Sequence, residues 1–274
     1  MMLFRTYRPP PPLSHFVDMF WFFSGGGLPH GREHVLPDGS AELVINLDDV
    51  PRKRFDRRNQ RRFETVRRAW ISGPQPEFTV IDVLPQATMM GVHFKPGGLT
   101  PFVPMPVGEL CGELVELDLL WGGAAGDLRD ELLEAPGIED KFRRFERFLI
   151  RRALRPLYPD PLVSATLQTL LRRDAVPAIG QVASEAGISH KHFIDRFRAA
   201  VGLSPKRFGR IRRFQRALGD LRARREVDWV DVAGACGYYD QAHFINDFRA
   251  FSGLTPARYL RRLGADERFV PITD

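Results

Sequence analysis

The spacing of apolar positions changes character twice along the chain. Between Phe16 and Phe94 the apolar and β-branched residues gather in short runs, FVDMFWFF, AELVINL, FTVIDVL and ATMMGVHF, separated by proline, glycine and charge. Runs of that length and punctuation predict the strands of an all-β unit. From about Ile138 to Leu154 a helical period takes over, with Phe142, Phe145, Phe148 and Leu149 on one face. The prolines between Arg155 and Pro161 cannot continue that helix. They predict a boundary there, with one domain over residues 1–158 and a second over 159–274.

Beyond the boundary the pattern repeats itself. VASEAGISHKHFIDRFRAAVGLSPKRF is followed by VAGACGYYDQAHFINDFRAFSGLTPARY. Val182, Ala183 and Gly187 recur as Val232, Ala233 and Gly237, and His192, Phe193, Phe197, Arg198 and Gly202 recur as His243, Phe244, Phe248, Arg249 and Gly253. An internal repeat is one structural unit used twice. In each copy a small alanine permits a close helix crossing, and a glycine four residues later suits a left-handed turn. The phenylalanine pair at i, i+4 then fixes which face of the next helix points inward. Ser204 and Thr255, each followed by proline, predict the N-cap of a further helix. The pattern is that of a helix-turn-helix, over about residues 178–203 and again over 228–254.

Charge sharpens this picture. Residues 161–274 hold 19 Lys and Arg against 12 Asp and Glu, whereas residues 1–160 hold 21 against 22, so the +6 excess lies in the repeat half. It concentrates between His190 and Arg225, with twelve basic residues and two acidic ones. Within KRFGRIRRFQRALGDLRARR, Phe208, Ile211, Phe214, Leu218 and Leu221 trace one helical stripe, with arginines over the remaining surface. A basic helix joining two groove-reading units predicts phosphate contact. A second basic run, PRKRFDRRNQRRFETVRR from Pro51 to Arg68, is too charged for a core strand and predicts an exposed hairpin. Such a hairpin could touch DNA or an acidic partner.

These features carry a family likeness. The A-x3-G turn, the F-x3-F-R core, the basic linker helix and GYYDQAHFINDFRAFSGLTPARY, from Gly237 to Tyr259, make the last hundred residues resemble the AraC/XylS family of bacterial transcription regulators. The resemblance implies a DNA-binding domain of seven helices, the third and sixth being recognition helices. LPDGSAELVINL, ISGPQ and GVHFKPGG resemble the cupin-like N-terminal domain of a subgroup of these regulators. The implied fold class is α+β multidomain: a β-rich, cupin-like sensing or dimerisation domain, then an all-α domain with two helix-turn-helix units joined by a linker helix.

Carried over position by position, the likeness gives Lys191, Ile194 and Asp195 of a first recognition helix to the bases, and Gln241, Ala242, His243, Ile245 and Asn246 of a second. Phosphates would be met by Arg196, Arg198, Arg207, Arg210, Arg212, Arg213, Arg216 and Arg249. Many members carry Ser-Arg or similar polar pairs where this chain has Ile194-Asp195 and Ile245-Asn246. Asn246 suits adenine, Asp195 a cytosine amino group and isoleucine a thymine methyl, while the two isoleucines could instead supplement the core.

The first half lacks the marks of catalysis. Its histidines, His15, His30, His34 and His93, form no His-x-His pair with a downstream carboxylate, and Cys111 is its one cysteine. His93 reads as a satisfied structural histidine. No phosphate loop or nucleophile elbow stands out, so neither a cofactor nor a metal is expected. The start MMLFRTYRPPPPL lacks a signal-peptide core, and two widely separated cysteines suit a reducing, cytoplasmic setting. The expected partners are double-stranded DNA, a small-molecule effector at the first domain, RNA polymerase and a second copy of the chain, with no membrane. The resulting expectation is a non-enzymatic, sequence-specific activator or repressor. Its rivals are a cupin-type enzyme with an appended helical domain and a nonspecific architectural DNA-binding protein.

Overall fold

The computed structural model describes residues 2–26, 30–84, 86–172, 179–224, 227–262 and 269–272. The first half contains ten strands: β1 Leu3–Tyr7, β2 Val17–Gly25, β3 Arg32–Val35, β4 Glu42–Asn46, β5 Arg52–Phe55, β6 Phe63–Val66, β7 Ala69–Ser72, β8 Thr79–Asp82, β9 Ala87–Phe94 and β10 Leu114–Glu116. They build two antiparallel sheets, ordered β1-β2-β9-β4-β7-β10 and β3-β8-β5-β6. The four apolar runs of the sequence fall on β2, β4, β8 and β9.

β2 reads as an almost unbroken apolar run because both of its faces are covered. Phe20 and Phe22 point into the large core, packed by the helices α1 Asp118–Trp121, α2 Ala124–Leu133 and α3 Ile138–Arg152. Trp21 points the other way, into a smaller cluster with Val44, Val66 and Trp70. The amphipathic stripe expected near Ile138 is α3, and Phe142, Phe145, Phe148 and Leu149 are all buried.

Among the described residues seven helices follow: α4 Pro161–Arg172, α5 Ile179–Glu185, α6 His190–Val201, α7 Pro205–Ala223, α8 Trp229–Ala235, α9 Gln241–Ser252 and α10 Pro256–Arg261. Their core centres on Phe214, whose ring meets Phe248 edge-on at 5.2 Å and Phe251 at 5.3 Å. The chain then returns to the first half. β11, Phe269–Pro271, pairs antiparallel with β3, and Val270 opposes His34. Buried Val270 and Leu36 both belong to the helical core. The second domain therefore completes its interior with residues from either side of the proline boundary.

The basic run from Pro51 to Arg68 does form a hairpin, β5–β6, but β5 is an inner strand lying between β8 and β6. Arg52 is buried there because Asp48 at 2.5 Å and the Asn46 side-chain oxygen at 3.2 Å satisfy its guanidinium.

His93 on β9 is a structural histidine held between two carboxylates, Asp38 at 3.2 Å and Glu42 at 3.5 Å. Burial alone would lower its pKa; the two flanking carboxylates override that and hold it at about 10. The folded state thus keeps a proton that an unfolded histidine releases near pH 6.5. Its stabilising contribution is complete below that pH and fades as pH rises towards 10. Thermal melting should show stability falling between pH 7 and 10, and His93→Gln should be less stable at pH 7 with a flatter profile across that window.

Candidate nucleic-acid interface

Each repeat folds through the same local rules. Gly187 and Gly237 take left-handed turns, at φ 66° and 73°. The Ser189 hydroxyl accepts from the His192 amide at 3.2 Å to start α6, and the Asp240 carboxylate accepts from the His243 amide at 2.7 Å to start α9. Ser204 and Thr255 cap α7 and α10 as their sequence contexts predict. α6 and α9 both end at glycine, Gly202 with φ 85° and Gly253 with φ 73°. α6 and α9 are the third and sixth of the seven helices.

Corresponding positions are presented alike. Phe193 and Phe197 of α6, and Phe244 and Phe248 of α9, are buried. Lys191, Asp195 and Arg198 are exposed on α6, and Ala242, Asn246 and Arg249 on α9. At i, i+4 and i+7, each trio forms one stripe. Gln241 and His243 are half-exposed, with His243 Nε2 3.8 Å from Asp247. Ile194 and Ile245 are half-buried and pack against the helical core, the alternative open to them from sequence. Arg196 is exposed but paired with Asp160 at 2.7 Å, tying α6 to the start of α4.

The five α7 arginines that sequence gives to phosphates are all half-buried, and Arg207, Arg210, Arg212 and Arg213 have the following neighbours within the chain. Arg207 donates to the Pro76 carbonyl at 2.6 Å and meets Glu77 at 3.2 Å. Arg210 pairs with the buried Asp247 of α9 at 2.6 Å, which fixes α9 on α7. Arg213 lies over the Tyr238 ring at 5.2 Å. Burial lowers the pKa of Arg212 against the partial compensation of Asp38. Gln215, on the same helix, donates to the Pro37 carbonyl at 2.7 Å. Of the eight arginines that sequence gives to phosphates, Arg198 and Arg249 combine exposure with membership of the recognition stripes.

Sequence reasoning missed how the β-rich domain holds the far ends of α6 and α9. A Cβ on Gly202 would lie 2.8 Å from Pro74, and one on Gly253 would lie 2.7 Å from Phe78 and 3.0 Å from His34. The His34 ring stacks on Phe78 with centroids 4.6 Å apart, and its Nδ1–H donates to the Ser252 carbonyl at 2.8 Å. Burial lowers the pKa of His34, which keeps this imidazole neutral. Thr100 donates to the Ala200 carbonyl at 3.0 Å, at the end of α6. The turn between β7 and β8 therefore spans all three helices: Pro74 on α6, Pro76 and Glu77 on α7, Phe78 on α9. The recurrence of Gly202 as Gly253 was the sequence signal that bears on this arrangement.

Among known families, residues 182–262 match a helix-turn-helix domain, and residues 5–116 match a domain of unknown function, DUF6597. No curated protein matches the chain. Similar solved structures include ToxT from Vibrio cholerae, at 11% identity over 95% of this chain and 98% of that one, with a TM-score of 0.46. The C-terminal domain of AraT, a response regulator from Geobacillus stearothermophilus, is 21% identical over 39% of this chain and 90% of that one, with a TM-score of 0.35. A DNA-binding transcriptional dual regulator from Escherichia coli K-12 is 25% identical over 39% and 96%, with a TM-score of 0.31.

Gly253→Ala should cost about 1–2 kcal/mol for the left-handed backbone alone, with a further loss from the overlap with Phe78. Urea unfolding of the full chain measures it. A matching loss in Gly202→Ala would show that both helix ends are held in the same way.

Proposed function

We propose that this chain, which carries an AraC-type helix-turn-helix domain, is a DNA-binding transcription regulator that sets α6 and α9 into two adjacent major-groove segments. The observation carrying this reading is the duplicated outward stripe, Lys191, Asp195 and Arg198 on one helix and Ala242, Asn246 and Arg249 on the other. The supported helix of such a unit presents its N-terminal residues to base edges. α7, at 19 residues, spans roughly 28 Å at 1.5 Å per residue. Successive groove entries lie about 34 Å apart, so modest bending of the duplex closes the difference.

Direct readout falls to Lys191, Asp195, Gln241 and Asn246, with Ala242 and His243 beside them, and Ile194 and Ile245 offer methyl contacts at the edge of the core. Arg198 and Arg249 serve as phosphate contacts in the conformation described. Arg207 and Arg212, which face Pro76, Glu77 and Asp38 of the β-rich domain, add to them once that domain withdraws from α7. A signal perceived by that domain has a direct mechanical route to DNA, because the β7–β8 turn rests on both recognition helices and on the linker. The signal is read here as a small-molecule effector. A second copy of the chain and RNA polymerase complete the proposed partners, in the cytoplasm. Among the described residues no helix is long and apolar enough to cross a membrane, and no His, Cys, Asp and Glu cluster could hold a metal.

Selection of bound fragments from a random duplex pool should return a preferred site. Against that site Asn246→Ala should cost about 1–3 kcal/mol at particular base pairs. Arg249→Ala should weaken all sequences alike and lower the salt slope by about 1. An Asn246→Ala protein with unchanged base preference would overturn the placement of α9 in the groove.

A further inference from the structure

The exposed stripe of α9 does not stop at Arg249. It continues along one face through Ala242, Asn246 and Arg249 to Gly253, a run of roughly 17 Å at helical rise. Gly253 opens into a crevice of about 620 Å³ between the two domains. Gly253, Leu254 and Arg258 form one wall, and Arg57, Gln60 and Phe78 form the other. The tip of the β5–β6 hairpin thus sits where the outward face of the second recognition helix ends.

That tip is organised and strongly basic. The Asp56 carboxylate accepts from the Arg58 and Asn59 amides at 2.8 and 2.6 Å, and the Arg62 amide donates to the Asn59 carbonyl at 2.9 Å. Arg57 is spent on Glu77. Arg58, Arg61 and Arg62 are exposed, as are Arg258 and Arg261 on α10. Among the described residues, none of these five takes part in an ion pair within 4.0 Å. The equivalent end of the first recognition helix is covered differently. Gly202 there meets Pro74 and Val107, and the covering turn Val107–Leu110 carries Glu109 instead of arginine. The positive cluster belongs to one unit only.

We propose that Arg58, Arg61 and Arg62 of the β-rich domain, together with Arg258 of α10, form a phosphate-binding surface that grips the DNA backbone flanking the second helix-turn-helix unit. The stripe of α9 runs along the groove, so a duplex seated on Asn246 and Arg249 passes its flanking phosphates beside the hairpin tip. Guanidinium groups suit phosphate oxygens in this position, since such contacts fix register without reading bases. The β-rich domain then contributes to DNA affinity directly, besides holding the helices. An acidic protein surface is the other polyanion such a tip could meet. Continuity with the α9 stripe favours DNA.

The inference rests on the function proposed above, and the experiment separates the two. Full-length protein and its Arg58→Ala/Arg61→Ala variant are titrated with the selected duplex from 50 to 200 mM salt. An Arg147→Ala/Arg151→Ala variant of exposed α3 controls for net charge, and circular dichroism melts check folding. Removing one arginine–phosphate interaction lowers the slope of log K against log salt by about 0.9. The hairpin variant should therefore show a slope smaller by about 2 and weaker binding to every sequence, with base preference kept and the control unchanged. A hairpin variant binding with parental affinity and slope would overturn the proposal, whether or not it had ceased to bind a protein partner. Equal weakening in the α3 control would overturn it too, by assigning the effect to net charge. Absence of selective binding by the parent would instead remove the function on which the proposal rests.

Discussion

Two glycines and the turn that lies on them hold this architecture together. Gly202 and Gly253 occupy the same place in the repeat, ending α6 and α9 in the left-handed conformation. Lacking a side chain, each lets the β-rich domain approach to within van der Waals contact of the helix end. Pro74 closes on the first and Phe78 on the second. Because the residues between them engage Arg207 of α7, one short turn touches α6, α9 and the linker helix between them. The spacing of α6 and α9 is therefore set from outside the helical domain as well as from within it.

The linker helix shows how the same charges meet competing demands. α7 must bury Phe208, Ile211, Phe214, Leu218 and Leu221, and it is packed by the two helix-turn-helix units and by the loop around Asp38. A helix enclosed on several sides cannot leave all its arginines in solvent. Arg210 instead ties down the buried Asp247 of α9, and Arg207 reaches the β7–β8 turn. A buried carboxylate without its cation would be strongly destabilising, so the Arg210–Asp247 pair also orients α9. One set of side chains thus ties the helical domain both to itself and to the β-rich domain.

The β-rich domain obeys a similar economy. Its largest sheet buries one face under α1–α3 and turns the other towards the second sheet. The second sheet carries β5 of the charged hairpin as an inner strand, which works because Asp48 and Asn46 satisfy Arg52 at its base, while the edge strand β6 and the tip face solvent. His93, buried between Asp38 and Glu42, lies in the same region as the loop that meets α7 at Phe208 and Gln215.

What could be read in the residues alone was whatever depends on near neighbours: apolar runs on β2, β4, β8 and β9, the α3 stripe, the helix caps, the turn glycines and the doubled unit with its inward phenylalanines. Backbone propensity, capping and side-chain periodicity act over a few residues, so the order of letters suffices for them. The destinations of the arginines, the return of β11 to β3 and the grip of one turn on three helices were decided by folding. Each joins residues separated by scores or hundreds of positions, and whether a charge faces solvent, a carboxylate or a ring depends on which surfaces meet. That information exists only once the chain has closed on itself.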